Sequence, residues 1–377
     1  MNFYYDYSTM VGEKSSLTGI PRTVYSLARA FKNNYPETRL VIIDDKLKKF
    51  HHINLIDDSI VIGDPVHFVK ADVLFSAGGN WKFSCYNNQI SNLNKIGVNF
   101  YQLFYDVIPA LFPYMYKSGL GFGRYFDCWT KETLALTKHA FSISKCTKND
   151  IIKLFSLDAK YSSKITVIRL GEDFYPSKNS YKSNKKSKLL KNELGSFILC
   201  VGTIELRKNH QVLLNAYREL AKLKLEFIPK LVIVGKSGWL NNNIKYQIKN
   251  DKDLSSLIFI YPNLSDCDLD YLYKNCIYTV YPSVYEGWGL PITESLSYLK
   301  PCIASNSSAM IEIAPNLVWH ADPQNPREWA SKIKELILEP VLIIQQSLII
   351  KENYKKTSWD QTALSIFNTI FSEEKHL

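Results

Sequence analysis

Short apolar runs alternate with stretches of helical period twice along this chain, once on each side of a polar, lysine-rich segment. The first round has apolar runs at Leu40–Asp44, Val73–Ser76, Asn99–Leu103 and Ala140–Ile143. Runs that short read as buried strands. Helical patterns lie between several of them. The earliest is Pro21–Lys32, where Val24, Leu27, Ala28 and Phe31 recur at helical spacing. The second round predicts strands at Phe197–Val201, Leu231–Val234, Leu257–Ile260, Tyr278–Tyr281 and Cys302–Ala304. It predicts helices at His210–Leu223, Asp266–Lys274, the residues after Pro291, Pro326–Leu338 and Trp359–Phe371. Alternation of this kind points to an α/β architecture with parallel, doubly wound sheets. The 377 residues suffice for two such domains, each with its own core.

The segment Phe174–Lys188 is polar, basic and poor in aliphatic residues. Read as a linker, it divides the chain into a first domain at 1–175, a linker at 176–195, a second domain at 196–355 and a last helix at 356–377. The net charge of +10 suits nucleic acid, an anionic membrane surface or an anionic substrate. No nucleic-acid motif accompanies the charge, so nucleic acid is not an expected partner. Seven cysteines, none spaced Cys-x-x-Cys, fit reduced thiols in a cytosolic protein and argue against a disulfide framework or a zinc site. No run of 18 apolar residues occurs, so no transmembrane helix is expected. The most apolar late stretch, Val341–Ile350, is broken by Gln345 and Gln346. The first residues lack a basic stretch followed by an apolar one and do not read as a signal peptide.

The chemistry-bearing stretch is Tyr281-Pro-Ser-Val-Tyr-Glu286-Gly-Trp-Gly-Leu-Pro-Ile-Thr-Glu294. It reads as a buried strand ending at Tyr281, a loop with two glycines, and a helix opened by Pro291 at its first position. Gly287 and Gly289 allow the backbone close to a ligand. The N–H groups at a helix start favour an anion such as phosphate. Glu286 lies before that start and Glu294 about one turn inside, so one carboxylate reaches each side of an anion held there. A sugar nucleotide, with hydroxyls on both sides of a diphosphate, has that layout. After the strand Phe197–Val201 comes Gly202-Thr-Ile-Glu-Leu-Arg207-Lys208, with two adjacent cations just ahead of a helix and placed for a diphosphate.

The acid–seven-residues–acid order resembles that of retaining glycosyltransferases with two Rossmann-like domains, the GT-B fold. It is most similar to the family 4-like group that includes bacterial mannosyl-, rhamnosyl- and glucosyltransferases of cell-surface polysaccharide assembly. The resemblance covers most of the chain and is strongest in its C-terminal half. It implies two doubly wound domains facing a cleft, with the last helix returning to the first domain. It implies that Glu294 holds the ribose hydroxyls, that Glu286 faces the donor sugar, and that the amides of Gly287 to Leu290, Gly289 included, contact sugar and distal phosphate. Lys208 matches the family's phosphate-binding lysine. Many members have an arginine directly after the glycine, where this chain has Thr203. Either Arg207 replaces that cation or the phosphate site is less charged. Gly19, before the Pro21 helix in Ser15-Ser-Leu-Thr-Gly-Ile-Pro, resembles the glycine loop that approaches the donor from the first domain. Asp106 follows a strand, as a sugar-binding or a turn-capping Asp would. Tyr105 stands where members often have histidine, so no histidine-dependent step carries over.

The resemblance implies catalytic roles for Glu286, Lys208 and Asp106, no metal and no other cofactor. The expected partners are a nucleotide-sugar donor, a lipid-linked saccharide acceptor and, peripherally, the anionic inner face of the cytoplasmic membrane. GDP-mannose is the donor the residues around Lys208 most resemble, with GDP-fucose, dTDP-rhamnose and UDP-sugars as alternatives. A nucleotide-sugar 2-epimerase and a non-catalytic subunit of a polysaccharide assembly complex are the competing activities. Other polar clusters have plainer explanations. Asp266-Cys-Asp-Leu-Asp270 reads as the first turn of a helix capped by Ser265 rather than a metal–diphosphate site. Gly119-Leu-Gly-Phe-Gly123 reads as a loop, and His51-His52 lacks partners at ligand spacing.

Overall fold

A computed structural model describes residues 1–13, 19–56, 59–173, 194–238, 242–262 and 264–374. By contact the chain divides into two units. Unit 1 comprises Met1–Pro113, Leu120–Tyr175 and Thr357–Leu377, and unit 2 comprises Tyr114–Gly119 and Pro176–Lys356. Most of the expected linker, residues 176–193, lies outside the described residues.

Unit 1 is built on β1 (Phe3–Asp6), β2 (Arg39–Asp44), β3 (Lys49–Ile56), β4 (Ser59–Pro65), β5 (Val73–Ser76), β6 (Asn99–Phe104), β7 (His139–Ser142) and β8 (Ile165–Val167). They form one sheet in the order β4-β3-β2-β1-β5-β6-β7-β8. β2 through β8 run parallel in that order, apart from β3 and β4, which add an antiparallel edge. That edge departs from the all-parallel expectation. A hairpin needs only one buried face, so β3 is partly buried and interrupted by His51-His52, and β4 is almost wholly exposed.

The helix Ile20–Asn34 buries Val24, Leu27, Ala28 and Phe31. Phe31 meets the rings of Tyr5 at 5.5 Å and Phe75 at 5.8 Å. Burying side chains of this size stabilises the unit by about 1.5–3 kcal/mol each. Residues Gly119–Gly123, expected as a loop, instead open the helix Gly119–Leu136. A Cβ at Gly123 would lie 2.6 Å from Pro113 Cβ and 2.8 Å from Pro109 O, so glycine serves close packing here.

The helix Trp359–Glu374 belongs to unit 1. Phe367 stacks on Tyr35 at 3.7 Å, and Phe3 meets Phe367 and Phe371 at 5.9 and 6.1 Å. Trp359 Nε1 donates to Asp173 O at 2.9 Å, and Glu172 N to Thr357 O at 2.9 Å. A Cβ at Gly171 would lie 2.4 Å from the Trp359 ring, so only glycine admits that indole.

Unit 2 holds β9 (Phe197–Val201), β10 (Lys230–Val234), β11 (Ile258–Tyr261), β12 (Thr279–Tyr281), β13 (Cys302–Ser305) and β14 (Trp319–Ala321), all parallel, in the order β11-β10-β9-β12-β13-β14. Its helices His210–Lys222 and Pro326–Leu338 pack over the sheet through buried Leu213, Tyr217, Trp329 and Ile333. Val341–Asn353 is a further helix, which the two glutamines hid from a reading of apolar periodicity. Gln346 is buried, with Nε2 donating to Leu317 O at 2.9 Å.

Candidate functional site

In unit 2 the chain winds from β9 out to β11, then returns to place β12 on the other side of β9. Loops leaving the carboxyl ends of two such neighbours diverge and leave a crevice at the point where strand order reverses. The β9 loop carries Thr203, Glu205, Arg207 and Lys208, and the β12 loop carries Glu286 to Gly289. Gly235 lets β9 and β10 exit side by side, because a Cβ on it would lie 1.9 Å from Gly202 O.

The two loops are tied together. Val284 N donates to Arg207 O at 2.9 Å. Arg207 Nη1 donates to Tyr285 O at 2.9 Å and stands 2.5 Å from Glu286 Oε2, while Nη2 reaches Glu205 Oε1 at 2.9 Å. Lys208 Nζ donates to Glu286 Oε1 at 2.6 Å and to Tyr281 Oη at 2.7 Å. Tyr281 Oη in turn donates to Glu286 Oε1 at 3.0 Å. Behind the carboxylate, Glu286 N donates to Ser308 Oγ at 2.8 Å. Asn209, in the left-handed region at φ 53°, sends Nδ2 to Pro282 O and Pro323 O and so fixes the turn that follows Lys208.

Burial by itself would raise the pKa of Glu286. The charges of Arg207 and Lys208 outweigh it and hold the carboxyl at about 2. Lys208 moves below its ordinary value because burial disfavours its charge, with Glu286 opposing. Glu286 is thus an ionised hydrogen-bond acceptor at any physiological pH and not a proton donor. Two of the three ammonium N–H groups of Lys208 are spent on Tyr281 and Glu286, which leaves one for a further acceptor.

Gly289 is the N-cap of the helix Leu290–Ser297, and no side chain caps that end. Pro291 is the second helical residue, not the first as expected. The missing Cβ of Gly289 makes room for Ile292 and Ile313, 2.9 and 3.1 Å from where it would stand, so its role includes packing within the unit. Gly287 is buried. Glu294 sits on the same helix, half-buried, with Oε2 accepting from Tyr273 Oη at 2.7 Å. Burial pushes the Tyr273 phenol well above its ordinary pKa, with the Glu294 charge adding, so it keeps its proton and donates. Tyr273 stacks on Tyr298 at 5.0 Å.

Arg207, Lys208 and Glu286 therefore form one cluster, with Glu294 on the helix Leu290–Ser297 that follows Glu286. Thr203 stands apart, exposed on the β9 loop. Gly19 and Asp106 belong to unit 1. Gly19 is the exposed N-cap of the helix Ile20–Asn34, at φ 59° and ψ −130°, and the residues 14–18 before it lie outside the described ones. Asp106 follows β6 and accepts from Ile108 N at 3.0 Å, the bond of a turn-capping Asp. It also lines a small concavity with Trp81, Phe126 and Trp129. Tyr105 Oη donates to Ala77 O at 2.7 Å.

Ser265 and Asp268 form a reciprocal capping box, which accounts for the acids at 266–270. His51 Nδ1 lies 3.1 Å from Gly63 O on a sheet edge. Among the described residues no three His, Cys, Asp or Glu side chains group as metal ligands, and no helix is long and apolar enough to cross a membrane. Sequence reading missed Glu205, Asn209, Tyr273, Tyr281 and Ser308 as supports of the cluster. Asn209 directly follows Lys208 and carried some signal, whereas nothing local ties Tyr273 to Glu294 or Ser308 to Glu286.

Residues 182–357 match the family model described as Glycosyl transferases group 1. The chain is 30% identical over 206 residues to O-antigen chain mannosyltransferase B of Escherichia coli, covering 54% of this chain and 52% of that protein. It is 26% identical over 312 residues to the serotype-specific mannosyltransferase WbdA of Escherichia coli, covering 80% of this chain and 37% of that protein. It thus spans about half or less of the length of these relatives. Among solved structures, Anabaena HepE in complex with UDP and glucose superimposes with a TM-score of 0.66 at 13% identity, covering 99% of this chain and 100% of that one. This likeness establishes the GT-B fold.

Proposed function

For a chain that carries a Glycosyl transferases group 1 domain at residues 182–357 on a GT-B fold, we propose that unit 2 binds a nucleotide sugar and that the protein transfers its hexose to a lipid-linked oligosaccharide. The process is assembly of an O-antigen-like surface polysaccharide at the inner face of the cytoplasmic membrane. The donor is GDP-mannose and the configuration at the anomeric carbon is retained. The observation that carries the reading is the Lys208–Glu286 pair beside an uncapped helix start at the reversal point between β9 and β12. Two relatives named as mannosyltransferases support the choice of sugar.

In this reading the distal phosphate lies against Lys208 and the amides of Gly287 to Leu290. Arg207 supplies a second cation one residue away, and so takes the part of the arginine that Thr203 replaces. Glu286 accepts hydrogen bonds from the sugar hydroxyls and Glu294 from the ribose. As the bond between the anomeric carbon and the phosphate oxygen breaks, charge grows on the diphosphate. Preorganised donors stabilise that charge without reorganising. The acceptor hydroxyl attacks on the same face, and its proton passes to the departing phosphate oxygen. Glu286, ionised and ion-paired, serves the oxocarbenium-like state electrostatically. The reading calls for no metal, so a chelator leaves the rate unchanged.

A thermal-shift series with GDP, UDP, dTDP and ADP tests it. A ligand at a hundred times its Kd stabilises the folded state by about 2.7 kcal/mol. GDP alone is expected to raise the melting temperature. A response to UDP or dTDP alone reassigns the donor, and silence to all four removes the reading.

A further inference from the structure

We propose that the outward face of the helix Val341–Asn353 is a docking surface for an anionic lipid bilayer. The helix is apolar on both sides, with Leu342, Ile343 and Ile350 packed against the core and other aliphatic residues facing out. Its polar Gln346 faces the core, while Val341, Ile344 and Leu348 are 52%, 63% and 55% exposed. Leu338, at the end of the preceding helix, is 59% exposed. Val341, Ile344 and Leu348 follow one another at three and four residues and so form one stripe. The opposite side, at Ile350, packs into the core beside Leu317 and Val318.

Cations border the stripe. Lys351 follows Leu348 by three residues and Ile344 by seven, which places it on the same side, and Lys355 and Lys356 stand exposed just past the helix. Glu339 and Glu352 are the exposed acids of that stretch, so lysines exceed acids there within a chain of net charge +10. Size decides between occupants. Four aliphatic side chains make a patch of at most a few hundred Å². A stable protein interface buries about 800 Å² on each partner, more than this stripe offers a second copy. A bilayer sets no such threshold. Each inserted aliphatic side chain adds to binding, and each lysine beside an anionic surface adds again.

The inference rests on the proposed lipid-linked acceptor for its biological sense, and its test is independent of sugar transfer. The full chain is sedimented with vesicles of phosphatidylglycerol and phosphatidylethanolamine, and with vesicles of phosphatidylcholine alone. The wild type is expected to partition onto the anionic vesicles and not the neutral ones. The I344S/L348S double variant is expected to lose tenfold or more of that partitioning, with unchanged circular dichroism and an unchanged nucleotide-induced thermal shift. No sedimentation of the wild type, or equal sedimentation of the variant, overturns the proposal. A wild-type dimer that the same substitutions dissociate also overturns it, in favour of a second copy on the stripe. Lipid binding without any nucleotide response keeps this surface and removes the glycosyl-transfer reading.

Discussion

Lys208 Nζ stands 2.6 Å from Glu286 Oε1, although 78 residues separate them in the chain. They meet because β9 and β12 are neighbours in the sheet and hydrogen bonds such as Val284 N to Arg207 O hold their loops together above it. The pair is buried, and breaking such a pair from one side is costly because it strands the other charge. Arg207 on the second carboxylate oxygen limits that cost. Lys208→Met is therefore expected to lose about 2–3 kcal/mol of stability in urea unfolding yet remain folded. Transfer is expected to fall a hundred- to a thousandfold in kcat, the scale of removing one donor from a developing anion.

Glu286 is held at about 2, below its ordinary 4.5. A depressed carboxyl contributes stability that is fully present above the unfolded value and is lost as pH falls through the folded one. The difference between those values corresponds to about 3 kcal/mol, one pKa unit being about 1.4 kcal/mol. Wild type is expected to lose stability relative to Glu286→Gln between pH 4.5 and 2, and not between pH 6 and 8. Urea midpoints of both proteins across that range check this, and a gap that stays constant down to pH 2 would contradict it.

Tyr273→Phe removes the donor to Glu294 Oε2 and keeps the ring on Tyr298. Loss of one hydrogen bond to a charged group costs about 1.5–3 kcal/mol. The carboxylate is then held less firmly. Nucleotide affinity is expected to weaken five- to twentyfold by calorimetry, with the rate at saturating donor changed little. Equal losses in kcat and kcat/KM would instead place Glu294 at the reacting centre.

Gly171→Ala sets a methyl group 2.4 Å from the Trp359 ring and 2.7 Å from its Cα. Forcing an atom into packed space costs about 1–3 kcal/mol. The helix Trp359–Glu374 is expected to become the first site of proteolytic cleavage, while the nucleotide-induced thermal shift is preserved.

Five of the six strands of unit 2 were legible to within a residue or so, because buried parallel strands are short apolar runs with sharp ends, as Phe197–Val201 and Cys302–Ser305 show, whereas the three-residue edge strand Trp319–Ala321, only partly buried, was missed. The hairpin β3–β4 was not legible, since an edge strand exposes one or both faces. The helix Val341–Asn353 was hidden because apolar residues lie on both of its sides, Ile350 buried and Ile344 exposed, so no single apolar stripe stands out. Of the candidate site, Arg207, Lys208, Glu286 and Glu294 could be named from local chemistry. Their partners Tyr273 and Ser308 could not, because they come from other elements and carry no pattern of their own. Gly289 shows a subtler failure: the glycine was noticed, but its neighbours Ile292 and Ile313 lie beyond what spacing reveals.

The helix Trp359–Glu374 completes unit 1 from the far side of unit 2 in chain order. During synthesis every strand of unit 2 leaves the ribosome before that helix does. The first unit to emerge is thus the last to close. Until residues 359–374 appear, Phe3 and Tyr35 lack the rings of Phe367 and Phe371 and face water. The half-made chain carries a sticky aromatic seam for as long as about 350 further residues take to translate, at roughly 5–20 residues per second. Chaperone demand should accordingly follow elongation rate more closely than it follows the stability of the finished protein.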